Sequence, residues 1–222
     1  MLKIIDKGLT DYADCLSEQE RIMDAVLAEK RICGQAANAN SVLLTEHRHV
    51  YTLGKSGDIS NMLINKAFMR EIGAVFYRTN RGGDVTYHGP GQLVCYPIID
   101  LARFGIGVRT YIEMLEQVVI EAVAHYGLVA GLKAGAVGVW IEADIHARAR
   151  KICAIGVRVS HGVTMHGFAL NVNTDLRYFS YINPCGLSFG VTSLQQELGR
   201  EVPMTEVKEL VKRIFSSKFI IP

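Results

Sequence analysis

The sequence lacks several features that would place it in a specialised class of protein. No run approaches the roughly 20 apolar residues of a membrane span, and the N-terminal segment lacks the basic and apolar regions of a secretory signal. The formal net charge is only +2, too small to indicate a nucleic-acid partner. We therefore expect a cytoplasmic protein that binds neither membranes nor nucleic acid.

Cysteine is scarce as well, and its pattern excludes a disulfide framework. The five cysteines are odd in number, far apart and without a CxxC pair, which favours a reducing compartment. The chain has no GxxxxGK[ST] phosphate loop and no HExxH zinc motif. A metal enzyme using His47, His49, His88, His161 and His166 is thus a weaker alternative, and we expect no cofactor.

The remaining composition is that of a globular protein with a sizeable core. Hydrophobic residues make up 49% and charged residues 21% of the 222 positions, with no repeat or linker, so we expect a single domain over residues 1–222. Apolar spacing predicts helices over residues 11–30, 66–72, 108–126, 192–198 and 204–215. β-Rich runs predict strands over residues 41–45, 49–53, 74–79, 93–99, 137–141, 151–159 and 168–172.

The order of these elements predicts the fold class. Strict strand–helix alternation is absent, and the middle strands follow one another like hairpins. This pattern favours an α+β fold with a mixed, largely antiparallel sheet flanked by helices. Pro97 cannot donate to a strand ladder, so the strand that contains it is expected at a sheet edge or to end near it.

Residues 81–92 (RGGDVTYHGPGQ) are the first candidate for a binding site. Glycine and proline occupy five of these twelve positions, and glycine lets backbone approach a ligand closely. Polar side chains and Arg81 stand between them. Two ordinary tight turns would explain the glycines alone, but not this many polar groups, so we favour the wall of a site for a small, partly polar substrate.

Two further segments are candidates for nucleophile chemistry, although most cysteines are structural and a lysine that begins such a strand is usually a solvated end. Cys185 stands between proline and glycine, in a turn where a thiol is exposed enough to react. Lys151 begins a strand of the sequence KICAIGVRVS, and its ammonium group would favour a nearby thiolate. Because alternate side chains of a strand share a face, Lys151, Cys153 and Ile155 are expected on one face. Cys153 is therefore a rival thiol.

The extended segment RGGDVTYHGPGQL closely resembles the signature of the lipoyl(octanoyl) transferases. Five other similar blocks occur in the family's order, and the likeness covers roughly residues 40–200. These blocks are EHRHVYTLGKSGD (46–58), GVW (138–140), KICAIGVRVS (151–160), MHGFALNVN (165–173) and PCG (184–186), and a closing VTSL (191–194) is similar too.

The resemblance implies roles for individual residues. The acyl-thioester cysteine of the family falls on Cys185, and its thiol-activating lysine falls on Lys151. The segments that line the family's substrate site fall on Arg81, Gly82, Gly83, Asp84, Val85, Thr86, Tyr87 and His88, on Ala154, Ile155 and Gly156, and on Gly167, Phe168 and Ala169.

The resemblance also implies an activity, a fold and partners. Such enzymes move an octanoyl group from acyl carrier protein to lysines of lipoyl domains, in the 2-oxoacid dehydrogenase complexes and the glycine cleavage H protein. Their fold is related to biotin and lipoate protein ligases and to the core of class II aminoacyl-tRNA synthetases. A monomer is expected. One departure is the long, basic stretch IEADIHARAR before Lys151, which offers Arg148 and Arg150 as competitors in register.

Two other functions remain open. An ATP-dependent lipoate or biotin ligase would share the fold but would need no cysteine, so the pair Cys185 and Lys151 argues against it. A non-catalytic module that binds lipoyl domains would not need to retain that pair.

Overall fold

The architecture rests on a mixed sheet with helices on both faces. The computed structural model describes residues 2–183 and 190–220. Its strands are β1 (Lys3–Thr10), β2 (Ser41–His47), β3 (Val50–Leu53), β4 (Val75–Arg78), β5 (Val85–His88), β6 (Gln92–Ile98), β7 (Ala130–Lys133), β8 (Ala136–Ile141), β9 (Arg150–Ser160), β10 (Val163–Asn171) and β11 (Gly190–Val191). Its helices are α1 (Tyr12–Cys33), α2 (Lys66–Glu71), α3 (Val108–Ala124), α4 (Leu194–Leu198) and α5 (Met204–Lys218), with 3₁₀ turns at Ile59–Asn61, Leu101–Phe104 and Leu176–Tyr181.

The main sheet has the order β1-β2-β6-β10-β9-β8-β7, and β11 pairs with β9. The β1–β2 and β9–β11 pairs are parallel, and the other pairs of this sheet are antiparallel. A second sheet has the order β4-β3-β5. The predicted α+β class with a mixed, largely antiparallel sheet is confirmed.

Helices cover both faces of the main sheet because its central strands are apolar on both sides. On β2, Val42 and Leu44 pack into the core under α3 and α5, whereas Leu43 packs into the core under α1. Alternate residues of a strand point to opposite faces, so a continuous apolar run is what a doubly covered strand requires. Each large side chain buried in this way contributes roughly 1.5–3 kcal/mol.

The small sheet has a core of its own, formed with α2 and the 3₁₀ turn Leu176–Tyr181. Tyr51, Leu53, Val85 and Tyr87 are buried there from the strands. The loop that carries the predicted site motif therefore lies between two packed bodies, the small sheet on one side and β9 on the other.

The outer strand β1 is irregular. Its pairing with β2 shifts in register between Asp6 and Leu9, where Gly8 has a φ of +62° and donates its N–H to Asp6 Oδ1 at 2.9 Å. Lys208 Nζ lies 2.9 Å from the same Asp6 Oδ1. The strand carries a bulge and an ion pair in its middle.

Each predicted helix and strand occurs in the structure, with ends that differ by up to about five residues. Helix α1 extends to Cys33, three residues past its predicted end, and α3 ends two residues before its predicted end. Strands β1, β5, β7 and β11 were not predicted. The edge position offered for the Pro97 strand is wrong, because β6 lies between β2 and β10; Pro97 stands at the end of β6, past the residues that pair with β10.

Candidate active site

A cavity of about 590 Å³ lies between the main sheet and the small sheet. Its walls come from the loop before β5, from β8 and β9, and from both sides of the segment that contains Cys185. Apolar side chains of Val85, Val137, Ile155 and Ile182 alternate with polar groups around the wall, and Lys151 is among the polar ones. An elongated, mostly apolar substrate with one reactive polar end fits such a lining.

A narrower recess of about 50 Å³ adjoins this cavity. The two spaces share wall residues on β5, β9 and β10, among them Thr86, Ala154 and Ala169. The recess continues inward to Tyr12 on α1 and to Tyr96, His88 and His166. The site is therefore one wide outer chamber joined to a small recess whose wall carries both apolar and polar side chains.

Most of the substrate-binding residues predicted from the sequence lie on these walls. Those that line either space are Arg81, Gly83, Asp84, Val85, Thr86, His88, Ala154, Ile155, Gly156, Gly167, Phe168 and Ala169. Gly82 and Tyr87 lie off the walls. Tyr87 is fully buried in the small-sheet core, where its hydroxyl lies 2.8 Å from His49 Nδ1, because its neighbours in β5 point to the opposite face.

Lys151 reaches the cavity because of a bulge in β9. Val139 pairs with Cys153 and the next residue, Trp140, pairs with Lys151, so two steps on β9 oppose one step on β8. The extra residue shifts the alternation: Lys151, Ala154 and Ile155 line the cavity, whereas Cys153 lies in the hydrophobic core. The prediction that Lys151, Cys153 and Ile155 share one face is wrong for this reason.

Gly138 makes room for the bulge. Its φ is +124°, and a Cβ there would lie 2.5 Å from Cys153 O and 3.4 Å from Lys151 Cε. The lysine side chain thus runs over a position that only glycine can occupy. Its Nζ lies 4.7 Å from the centroid of the Trp140 ring, a cation–π distance. Glycine inside a strand-like run was the local signal for this bulge.

Cys185 lies outside the described residues. The described residues on either side of that segment, Asn183 and Gly190, both line the cavity that Lys151 lines. Gly190 and Val191 pair with Arg150 and Lys151, and Thr192 donates its N–H to Lys151 O at 2.9 Å.

Cys153, the rival thiol, is buried. It is fully enclosed in the core, and its thiol donates to Ala154 O at 3.5 Å. Burial raises the pKa of the Cys153 thiol far above its ordinary value. A thiol that is both enclosed and protonated is a poor nucleophile.

The arginines that compete with Lys151 in register have structural partners. Arg150 places its Nε and one terminal nitrogen on the two oxygens of Glu197, at 2.6 Å and 2.5 Å, and also pairs with Glu142. Arg148 pairs with the other oxygen of Glu142 at 2.5 Å. These contacts hold the arginines away from the cavity, and the wall position belongs to Lys151.

Arg81 is a buried cation that ties the glycine-rich loop together. Its guanidinium donates to the carbonyls of Thr52, Gly82 and Asp84 at 2.6–2.9 Å. The N–H of Gly82 donates to Val157 O at 2.9 Å, so this group is occupied within the fold rather than offered to an oxyanion.

His88 is oriented by a chain of hydrogen bonds that the sequence did not reveal. Gln92 donates its amide N–H groups to Tyr87 O at 3.2 Å and to Asn171 Oδ1 at 2.9 Å, and Asn171 donates to Thr192 O at 2.9 Å. Gln92 Oε1 therefore faces His88 Nδ1, at 2.8 Å, and Nδ1 carries the proton. Burial, with His47 nearby, lowers the pKa of His88 to about 3, so its ring is neutral and Nε2 is a bare acceptor.

The remaining histidines of the metal alternative take part in hydrogen bonds. His47 lies 2.9 Å from the Tyr96 hydroxyl and 3.1 Å from Thr10 O, and His166 Nε2 lies 3.0 Å from Asn80 Oδ1. Residues 2–183 and 190–220 contain no cluster of three or more histidine, cysteine or acidic side chains that could hold a metal ion.

Comparisons with known proteins show the family of the chain. The family model of the lipoyl protein ligase A/B catalytic domain matches residues 11–216. An octanoyltransferase of Bacteroides fragilis is 56% identical over 94% of this chain and 93% of its own, and one of Bacteroides thetaiotaomicron is 53% identical over 93% and 90%.

Solved structures share the fold at low sequence identity. A bipartite lipoate protein ligase of Thermoplasma acidophilum has a TM-score of 0.69 at 16% identity, covering 98% of this chain and 82% of its own. The biotin protein ligase of Aquifex aeolicus has a TM-score of 0.51 at 14% identity, covering 98% and 68%. The expected relation to biotin and lipoate ligases is confirmed, and that to class II synthetases stays a prediction. By family model and by identity over nearly its whole length, the chain belongs to the lipoyl protein ligase A/B catalytic domain family, among its octanoyltransferases, and is an acyltransferase.

Proposed function

We propose that the chain is a single catalytic domain that transfers an octanoyl group to a lysine of lipoyl domains through a thioester on Cys185. The observation that carries the proposal is the wall of the large cavity. Lys151 and the residues flanking the Cys185 segment, Asn183 and Gly190, lie on that same wall. The similar proteins of known name are octanoyltransferases, and their name is the reason for proposing octanoyl as the acyl group.

The donor and acceptors follow from the family resemblance. The donor is octanoyl-acyl carrier protein, and the acceptors are the lipoyl domains of 2-oxoacid dehydrogenase complexes and of the glycine cleavage H protein. The enzyme acts as a monomer in the cytoplasm, without metal or cofactor. Residues 2–183 and 190–220 contain no helix with the length and hydrophobicity that crossing a bilayer requires.

The chemistry is two successive acyl transfers. The Cys185 thiolate attacks the donor thioester carbonyl, its sulfur–carbon bond forms, and the carrier leaves as a thiol. The ε-amine of the acceptor lysine then attacks the acyl-Cys185 carbonyl, an amide forms, and the cysteine thiol is restored. In the first transfer Lys151 takes the proton of the Cys185 thiol and passes it to the leaving carrier sulfur. In the second transfer it takes the proton that the acceptor amine loses and passes it to the Cys185 sulfur.

The cavity suits the acyl chain. Six methylenes at about 0.8 kcal/mol each contribute on the order of 5 kcal/mol when they are removed from water. The apolar walls at Val85, Val137, Ile155 and Ile182 provide that burial. Gly138 leaves the Lys151 side chain unobstructed beside them.

Mass spectrometry tests the intermediate. After incubation with octanoyl-acyl carrier protein, the native protein should gain one octanoyl group, mapped to Cys185. The Cys185→Ser variant should gain none as a thioester, and the matched control Cys153→Ser should gain it normally. Lys151→Ala should lower kcat/KM near neutral pH by about 10²–10⁴-fold, because a positioned proton-transfer group is lost.

Two results would contradict the proposal. A thioester adduct that forms in Cys185→Ser but not in Cys153→Ser would show that Cys153, and not Cys185, is the nucleophile. Octanoylation from free octanoate that requires ATP would instead support a ligase, the alternative that the shared fold with lipoate protein ligases keeps open.

A further inference from the structure

The recess at the inner end of the cavity has a chemical character that differs from the walls leading to it. Its wall is apolar at Val94, Ile155 and Phe168, but the rings of Tyr12, His88 and His166 line it as well and are not part of the wall of the outer cavity. The Tyr12 and His88 rings are parallel, with centroids 6.2 Å apart. An acyl chain that enters from the Lys151 side would meet polar groups where its methyl end arrives.

The recess wall includes the Arg81 guanidinium, which donates to backbone carbonyls of the glycine-rich loop, and two histidine rings that each keep an acceptor nitrogen. His88 uses Nδ1 for Gln92, and His166 uses Nε2 for Asn80, so the atoms left for an occupant are His88 Nε2 and His166 Nδ1. The Tyr12 hydroxyl makes no hydrogen bond to a described residue. The Tyr96 hydroxyl, by contrast, is engaged with His47 Nε2 at 2.9 Å.

The histidines keep this character across the working range of pH. Burial lowers the pKa of His166 to about 3, with Arg81 adding to the effect, and the pKa of His88 is lowered to the same range. Both rings therefore stay neutral and retain their free acceptor nitrogens.

The recess has the size and partners that an ordered water requires. A volume of about 50 Å³ exceeds the roughly 10–15 Å³ that one water needs, and three polar atoms are available to bind it. A hydrocarbon end could satisfy none of those atoms, and displacing a well-bound water with an apolar group is unfavourable.

We propose that the recess is a hydrated polar floor that limits the acyl chain, and that Tyr12, His88 and His166 are the residues that set this limit. The inference rests on the proposed acyl transfer. The outer chamber accepts the octanoyl chain, and each additional methylene has to displace water held by these three side chains. The ligand of the recess is water, and its function is chain-length specificity.

The test compares chain-length profiles. The native protein, Tyr12→Phe and the control Tyr77→Phe are assayed with hexanoyl, octanoyl, decanoyl and dodecanoyl pantetheine thioesters. Tyr77 packs against Tyr12, with ring centroids 5.3 Å apart, but is not part of the recess wall. Tyr12→Phe should raise the decanoyl-to-octanoyl ratio of kcat/KM by about three- to tenfold, the equivalent of one hydrogen bond, and Tyr77→Phe should leave it unchanged.

An unchanged ratio in Tyr12→Phe, or an equal loss at every chain length, would overturn the inference. A second measurement does not depend on that variant folding: ¹⁵N NMR of the native protein should show His88 protonated on Nδ1 and not on Nε2. Protonation on Nε2 would also overturn it.

Failure of the proposed function would look different. If the native protein transferred no acyl group at all, the recess could still be tested by calorimetry with octanoate and decanoate. If octanoate binds more tightly than decanoate, and this difference in affinity is smaller in Tyr12→Phe, the result would support a hydrated recess that limits chain length. The same difference in affinity in the native protein and in Tyr12→Phe would refute it.

Discussion

Among single residues, burial decides which thiol can react. Cys33 is exposed, whereas Cys15, Cys95 and Cys153 are buried. Burial is the main cause that raises the pKa of each of these three buried thiols above its ordinary value. The reactivity of each described thiol is therefore predicted better by its burial in the fold than by the residues next to it in the sequence.

Alkylation checks this difference at Cys153. In the native protein at neutral pH, iodoacetamide should label Cys33 within minutes and leave Cys153 unmodified, because the Cys153 thiol is enclosed and protonated. In denaturant both should be labelled. Peptide mapping by mass spectrometry gives the extent of labelling at Cys33 and at Cys153. Labelling of Cys153 before unfolding would show that the core opens.

For secondary-structure elements, the decisive feature is the bulge that turns Lys151 into the cavity. Strand β9 would present Cys153 there if its alternation were regular, and the bulge at Gly138 prevents this. Bulges often re-aim a side chain beside an active site. The same pair of strands thus buries one thiol and exposes the lysine.

Gly138→Ala should damage both stability and activity. The added Cβ would lie 2.5 Å from Cys153 O at a φ of +124°, so we expect a loss of roughly 3–5 kcal/mol in unfolding free energy. Gly135→Ala is the matched control in the same hairpin: its φ is +74° and its Cβ would meet nothing within 4 Å, so only about 1–2 kcal/mol should be lost.

Urea unfolding and acyl-transfer assays measure the two effects. Equal losses of unfolding free energy in Gly138→Ala and Gly135→Ala would show that the close contact with Cys153 O does not contribute to the destabilisation. An active Gly138→Ala protein would show that Lys151 does not depend on the bulge.

Local signals predicted the long elements, but contacts between distant segments did not follow from the sequence. The apolar spacing of α1 indicated a helix, yet it gave no reason for Gln19 to be buried. That side chain accepts the N–H of His166, which lies 147 positions away. Gln92 and Asn171 became neighbours only because β6 and β10 pair in register, so the chain of bonds that orients His88 had no local signature.

Across the whole molecule, three neutral histidines gather around the inner end of the site. The His47 and His88 ring centroids are 5.9 Å apart, and His166 lies beyond Tyr96. Burial lowers the pKa of His47 to about 4 and is the leading cause that lowers the pKa of His88 and His166 to about 3. Their protonation is therefore linked to the stability of the fold.

Stability should fall as the solution becomes acidic. The unfolded chain binds protons at these histidines below about pH 6.5, whereas the folded chain does not bind them until about pH 3–4. The free energy of unfolding should therefore be highest above pH 6.5 and decline towards pH 4, by on the order of 1 kcal/mol per histidine over the first pH unit.

Urea unfolding at pH 7.5 and 5.5 measures this decline. The His47→Gln variant should show less dependence on pH, since one of the linked groups is gone. A decline of unchanged size in that variant would mean that other groups control the acid sensitivity.

The irregular edge of the main sheet has a consequence for how molecules meet one another. A flat outer strand offers its unpaired N–H and C=O groups to the strand of a neighbouring molecule, and such pairing starts aggregation. In β1 the bulge at Gly8 and the charges of Lys3, Asp6 and Lys7 break up that row. The irregularity therefore protects the protein, when crowded, from joining its copies edge to edge into a continuous sheet.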